Sequence, residues 1–332
     1  MNNPFVTIGI PTYNRVRQLA VLIDSILLQI SDQFAGKIEI LVSDNHSTEP
    51  VRELVFDYIR RYPNLFTYKN NNVNLGFSLN VDRVMSNAKG EYVLLMGDDD
   101  ALESDALTTL WDILRAHPAA GVVILGVTPY DSDLETPLRV RENQAVGQKG
   151  ILYEPGLDFV RRNHVFAPAL ISGCVFKREA WLQAHPSDFY NTISIHRCCA
   201  MRILMTHDIY VSHIATIKYR TNGVGAEDWS KDPIWPFAFD LGDLFCCHLL
   251  KPVYPADLYH YLHTQAMRSI IYFIMRQKVT SGQLNESLLR NKLYELANQR
   301  EPLTWLALLI LRLPKWGVYI PFKVIMWFRG GK

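Results

Sequence analysis

A chain of 332 residues with 48% hydrophobic and 20% charged side chains has an ordinary globular composition, long enough to bury a large core in one large domain or two smaller ones. Its formal net charge of +1 supplies no overall field to recruit nucleic acid, so any basic patch must be local. Five cysteines, Cys174, Cys198, Cys199, Cys246 and Cys247, form an odd set without C-x-x-C spacing, which indicates neither a zinc site nor a disulfide framework. Buried free thiols fit a reducing cytoplasm, and the first residues lack the basic start and long apolar stretch of a signal peptide.

Residues 5–10 are rich in β-formers and read as a strand, with the turn of Pro11, Thr12, Tyr13, Asn14 and Arg15 after it. Leu19, Leu22, Ile23, Ile26 and Leu27 then recur at helical spacing over 18–29. A second strand at 37–42 ends in the polar loop from Ser43 to Thr48. A helix at 50–62, a short strand at 65–69, a turn cluster at 70–76 and a helix at 77–88 lead to a buried apolar run at 92–96. This alternation predicts a parallel sheet with helical crossovers, whose ligands collect at the carboxyl ends of the strands. Thr12, Asp44 and Asp98–Asp100 all fall at such ends.

Beyond the aspartates the pattern predicts a helix at 104–116 capped by Ser104, a strand at 121–127, and a polar surface loop at 130–149. A helix begins near 157, and a strand at 169–177 carries a mid-strand glycine that suggests close backbone approach. Helices at 178–184 and 196–204, a strand at 209–219 and a glycine-containing loop at 220–230 follow; that loop could close as a lid. From about 236 strand signals give way to helical periodicity at 237–250, 255–277 and 284–299. The resulting division is 1–235 as an α/β domain, with halves 1–102 and 103–235, and 236–332 as a helical region.

Gly97 ends the apolar run, and Asp98, Asp99 and Asp100 follow it directly. Carboxylates about 5 Å apart repel by roughly 3 kcal/mol at an effective dielectric of about 20, so the cluster calls for a compensating cation. A hard ion such as Mg²⁺ or Mn²⁺ is the natural one, and it keeps positions open for substrate phosphate. A solvated acidic turn that caps the next helix is the plainer alternative.

Four motifs in order, Ile10-Pro-Thr-Tyr-Asn-Arg15, Val42-Ser-Asp-Asn-His-Ser-Thr48, Asn74-Leu-Gly76 and Asp98-Asp-Asp100, resemble the family-2 glycosyltransferases, and most nearly the bacterial abequosyltransferase type that builds O-antigen repeat units. The resemblance runs over roughly the first 220 residues. It implies a GT-A fold, an α/β Rossmann-like mixed sheet flanked by helices, with a nucleotide-sugar donor and a divalent metal. By the same resemblance Pro11, Thr12 and Tyr13 line the nucleotide, Arg15 lies near its phosphates, and Asp44 accepts hydrogen bonds from the base or ribose. Asn74 and Gly76 match a turn beside the nucleotide, and Gly76 is equally explained as a positive-φ residue. Where the family often has an arginine, this chain has Leu79; Arg83, one helical turn on, could substitute.

The family's two metal aspartates match Asp99 and Asp100, with Asp98 as a departure. An extended chain would instead favour Asp98 with Asp100, whose side chains would face the same way. Both registers include Asp100. The acidic pair that commonly supplies the family's catalytic base is missing. The matching region offers His196, where the abequosyltransferase type also has a histidine, and Asp188 behind it; a histidine is a competent base near neutrality. Arg220 is a candidate for donor diphosphate or acceptor phosphate.

The last segment, 303–332, is apolar and aromatic with Arg312, Lys315, Lys323, Arg329 and Lys332 interspersed, and its apolar run is too short to span a bilayer. It suits helices lying in a membrane interface, or packing against the catalytic domain or a homodimer partner. The sequence thus predicts a metal-dependent, inverting transferase peripheral on the cytoplasmic face of the inner membrane, moving sugar from a nucleotide-sugar to a lipid-linked, polyprenyl diphosphate saccharide. The rival readings are a nucleotidyltransferase, whose glycine-rich first loop is absent, and a non-catalytic scaffold of a polysaccharide assembly complex.

Overall fold

The computed structural model describes residues 3–138, 149–163, 170–221, 238–280, 286–296 and 302–330, so most of the 220–230 loop and part of the 130–149 loop lie outside the described residues. The chain divides into two compact units, 1–191 with 195–224, and 192–194 with 225–332.

The first unit is built on one mixed nine-stranded sheet of order β3-β2-β1-β4-β8-β6-β9-β5, with β7 also paired to β9. β1 (Val6–Thr12), β2 (Ile38–Asp44), β3 (Phe66–Asn70) and β4 (Tyr92–Leu95) run parallel, as the alternating pattern predicts. β8 (Cys174–Lys177) is antiparallel to β4 and to β6 (Ala120–Tyr130), while β9 (Asp208–Arg220) is parallel to β6. β5 (Ala101–Leu102) and β7 (Gly150–Tyr153) are short strands that sequence periodicity did not reveal, both antiparallel to β9.

Helix α1 (Val16–Leu27) buries Leu19, Leu22, Ile23 and Ile26 against the sheet, the stripe expected from its spacing. α2 (Val51–Arg61) and α3 (Phe77–Asn87) are the other crossovers of the parallel half, and α4 (Ala106–Ala116) leads from β5 to β6. α4 starts after Asp105 in the left-handed region and without a side-chain cap, so Ser104 does not cap it. The strand expected over 169–177 begins only at Cys174, because Gly173 at φ +85 turns the chain into it. α5 (Leu157–Asn163), α6 (Arg178–Gln183) and α7 (Ile195–Ile203) complete the unit. The second unit is helical: α8 (Ala238–Leu250), α9 (Ala256–Thr280), α10 (Glu286–Leu296), α11 (Pro302–Arg312) and α12 (Lys315–Gly330).

Two features of β1 set up the site. Chain order reverses there, because β2 and β3 lie to one side and β4 to the other; such a switch point leaves a crevice beyond the strand ends. Pairing of β1 with β4 stops at Gly9–Leu95, whereas pairing with β2 runs on to Thr12–Asp44, so β4 leaves the sheet first. On β1's other face α3 packs so tightly that a Cβ on Gly9 would lie 2.2 Å from Val84 Cγ1. Gly9→Ala should therefore cost about 1–3 kcal/mol through overpacking, and Val84→Ala in the same chain should recover part of it. Urea unfolding of the single and double variants checks this; strictly additive losses would refute the contact.

Candidate active site

Where β1 and β4 part, side chains bridge the gap. Thr12, the last residue of β1, donates its hydroxyl to Asp98 Oδ2 at 2.7 Å. Arg15 reaches over from the β1–α1 turn and donates Nη1 to Asp98 Oδ1 at 2.8 Å and to Asp99 Oδ2 at 3.0 Å. Asp98 is nearly fully buried, so burial pushes its carboxyl up, opposed by the Arg15 charge and the Thr12 hydrogen bond. Arg15 is itself half-buried; burial alone would lower its pKa, but Asp98 and Asp99 outweigh that and raise it.

Residues 97–100 form a turn, with Asp100 N donating to Gly97 O at 3.3 Å, so the extended geometry that would align Asp98 with Asp100 does not hold here. Asp100 points to other partners: Ser172 donates its hydroxyl to Oδ2, and the Arg220 amide donates to Oδ1 at 2.9 Å. Ser172 in turn accepts from Gly97 N at 2.8 Å and locks the turn onto the segment entering β8. Burial and the charge of Asp99 push Asp100 up to about 7, against the pull of those hydrogen bonds. Arg220, at the end of β9, donates Nε to Asp99 O at 2.6 Å and also grips Ser132 O. As placed, its guanidinium braces the aspartate turn.

The second part of the site is the β2 end. Asp44 is buried and accepts from Ser47 N at 2.9 Å, the loop-capping role, and from Tyr68 OH at 2.7 Å, which with burial pushes that hydroxyl well up. Asn45 accepts from Leu75 N at 2.9 Å and from Asn71 Nδ2 at 3.1 Å, and donates to Asn74 Oδ1 at 2.8 Å. Asn74 also accepts from Gly76 N at 2.8 Å, and Gly76 sits at φ +78 with open space where a Cβ would be, so both serve the turn. Asn14 adopts φ 53 and accepts from Thr48 N at 2.7 Å, stitching the first loop to the second; neither it nor Thr12 caps α1. Pro11 lies within β1 and Tyr13 is solvent-facing beside them. Ser172, Tyr68 and Asn45 escaped sequence reading. The glycine after Ser172 was the one signal, and it marked close approach without showing to what.

The expected base residues lie on and before α7. His196 is buried within α7, its ring edge-on to Phe77 with centroids 6.4 Å apart. Asp188 is half-exposed and paired to Arg202 at 2.7 Å, while Arg202 also holds Ala184 O at 2.8 Å. Arg83 is exposed on α3.

Whether the aspartate turn suits a divalent cation can be judged at Gly97. A Cβ there would lie 3.1 Å from Ser172 Oγ, 3.2 Å from Asp99 Oδ1 and 3.4 Å from Asp100 Oδ2, so three hard oxygens line a cradle that only glycine leaves open. Among the described residues no three acidic, histidine or cysteine side chains converge on one point. A cation bound by one or two carboxylates and completed by substrate phosphate needs no such triad, and the donor set fits that kind of ion.

The profile of glycosyl transferase family 2 matches residues 7–174, half of the chain. The protein belongs to glycosyl transferase family 2. The matched stretch holds the first two loops, the aspartate turn and Ser172. An abequosyltransferase of Salmonella typhimurium is 39% identical over 112 residues, 34% of this chain and 33% of the relative. The GalNAc(5)-diNAcBac-PP-undecaprenol beta-1,3-glucosyltransferase of Campylobacter jejuni is 31% identical over 107 residues, 32% of this chain and 33% of the relative. The matches thus span about a third of these relatives' length. A mannosyltransferase of Pyrobaculum calidifontis, solved with GDP-Man and Mn²⁺, shares the fold with a TM-score of 0.54 at 17% identity, covering 94% of this chain and 86% of that one. The family-2 chain thus has the GT-A architecture the motifs implied, a mixed sheet flanked by helices with a helical C-terminal region.

Two outcomes test the electrostatics. Arg15→Ala leaves the buried Asp98 and the partly exposed Asp99 without their cation and should cost about 3 kcal/mol; adding Asp98→Asn should restore much of it, and a double-mutant cycle by denaturation reads the coupling, which would be near zero if the pair is incidental. Because the Asp100 carboxyl is held near 7, above its unfolded value of 3.8, ionising it burdens the folded state. The metal-free chain should lose stability as pH rises from about 4 to about 7, by up to about 1.4 kcal/mol per pH unit. Asp100→Asn should flatten that slope in melts at pH 5 and pH 8.

Proposed function

We propose that the protein transfers a sugar from a nucleotide-sugar to a hydroxyl of a lipid-linked saccharide in surface polysaccharide synthesis, with inversion at the anomeric carbon. The observation that carries the donor half is the meeting of Thr12, Arg15 and Asp98–Asp100 where β1 and β4 part. Oxygen ligands and a guanidinium side by side suit a diphosphate: Arg15 can exchange the aspartates for phosphate oxygens, to which its fork is matched. Pro11, Thr12, Tyr13, Asp44, Asn74 and Gly76 form the wall on which base and ribose rest, with Asp44 held by Tyr68 and Ser47.

Asp100 and Asp99 are the proposed ligands of a Mn²⁺ or Mg²⁺ ion, and Asp98 the partner that keeps Thr12 and Arg15 in register. When bound, such an ion neutralises charge on the leaving diphosphate. Arg220 holds the turn from behind through Asp99 O and the Asp100 carboxylate. His196 and Asp188 are the proposed base and its alternate: the first is enclosed by α7 and Phe77, the second is open but engaged by Arg202. The polyprenyl diphosphate acceptor is supported by the name of the Campylobacter relative, and it puts the reaction at the inner face of the cytoplasmic membrane.

A thermal-shift series with nucleoside diphosphates and Mn²⁺ tests the reading directly. One nucleotide should stabilise the protein only with metal present, and Asp100→Asn should abolish both that gain and transfer while the fold persists. No stabilisation by any nucleotide would overturn the proposal. His196→Gln should lower kcat with donor affinity unchanged; if Asp188→Asn alone does so, the base is Asp188.

A further inference from the structure

The second unit carries a surface that a water-facing helix pair does not normally show. α11 buries Thr304, Ala307, Leu308, Ile310 and Leu311, yet its opposite side is also apolar, with Trp305 at 56% exposure and Leu309 at 55%. A helix that is hydrophobic all round is ordinarily surrounded by core or lipid. α12 repeats the arrangement: Val318 and Phe322 are buried, whereas Trp316 at 79% and Ile320 at 70%, one helical turn apart, face outward beside Tyr319. Two successive helices therefore expose apolar and aromatic stripes at i, i+4 spacing.

The elbow between them is fixed from inside. Lys278 of α9 is buried and donates Nζ to Leu311 O at 2.8 Å and Leu313 O at 2.9 Å, capping the carbonyl end of α11, while Pro314 prevents the helix from continuing. The capped end makes the exposed faces a property of a defined structure, anchored on α9.

Charge decides what the surface fits. Residues 302–332 hold five basic side chains, Arg312, Lys315, Lys323, Arg329 and Lys332, and no aspartate or glutamate. Arg312 and Lys315 are exposed at the elbow, and Lys323 lies over the Tyr319 ring at 5.6 Å. A two-fold contact with a second copy would set the same cations against each other. A bilayer with anionic headgroups satisfies both features: aromatics enter at headgroup depth while lysine and arginine meet phosphate. No described helix is long and apolar enough to cross a membrane.

We propose that α11 and α12 form an in-plane docking surface for an anionic phospholipid bilayer, with Trp305, Leu309, Trp316 and Ile320 inserted and Arg312, Lys315 and Lys323 at the headgroups. This extends the proposed function by naming the surface that meets the membrane, and it stands whether or not a sugar is moved.

Co-sedimentation of the full chain with vesicles of phosphatidylcholine alone, or with phosphatidylglycerol added, tests it. The wild type should pellet with the anionic vesicles at least tenfold more than with neutral ones, with a blue-shifted tryptophan emission. Trp316→Glu with Ile320→Glu should lower that partition at least tenfold without changing the melting temperature, and Lys315→Glu with Lys323→Glu should remove the preference for phosphatidylglycerol. Binding that survives both pairs, or a wild type left in the supernatant, overturns the proposal. So does a lipid-free dimer that Trp316→Glu dissociates, since the occupant would then be a second copy. Retention of nucleotide-dependent stabilisation in the same variants separates this surface from the donor site: vesicle binding without nucleotide binding would overturn the enzymatic reading alone.

Discussion

Three consecutive carboxylates at the exit of a buried strand are tenable only if positive charge or hydrogen-bond donors reach them, and that requirement organises the first unit. Arg15 answers it for Asp98 and Asp99, and Ser172 with the Arg220 amide answers it for Asp100. These donors come from the β1–α1 turn, the approach to β8 and the end of β9. The same contacts that hold the charges therefore draw three parts of the sheet together around one turn. The parting of β1 from β4 gives the room, and the glycine at 97 keeps it open. A site so arranged holds its own counter-charge, with the carboxylates and their donors already in place.

The parallel half of this sheet was legible because its elements are long and locally consistent. Strand runs ended in turn formers, and the α1 residues at 19, 22, 23 and 26 repeated at the helical period. The acidic cluster and the first two loops could be placed at strand ends from sequence alone. What could not be read was how the later strands pair, and two of the shortest among them. β5 has two residues and β7 four, too few for a period to show, and they exist because β9 offers an edge to pair with. Expectation also failed at Ser172, where a run that looked like strand is bent by Gly173 at φ +85. That bend aims a hydroxyl at Asp100.

The family resemblance points to His196 and Asp188 as candidate bases, and chain position alone says nothing about what surrounds them. α7 encloses one, and Arg202 engages the other. Asn45 illustrates the converse. An asparagine in a turn is unremarkable in sequence, yet it receives the Leu75 amide and the Asn71 side chain and so sets the spacing of two loops.

The partners of Asp100 lie 72 and 120 positions further along the chain. The aspartate turn is thus made early in synthesis, whereas Ser172 arrives only on the approach to β8 and the Arg220 amide only at the end of β9. A nascent or truncated chain that stops before residue 172 carries the acidic motif without the frame that gives it shape. The motif and the site are separated in time, and the sheet's last long strand is what joins them.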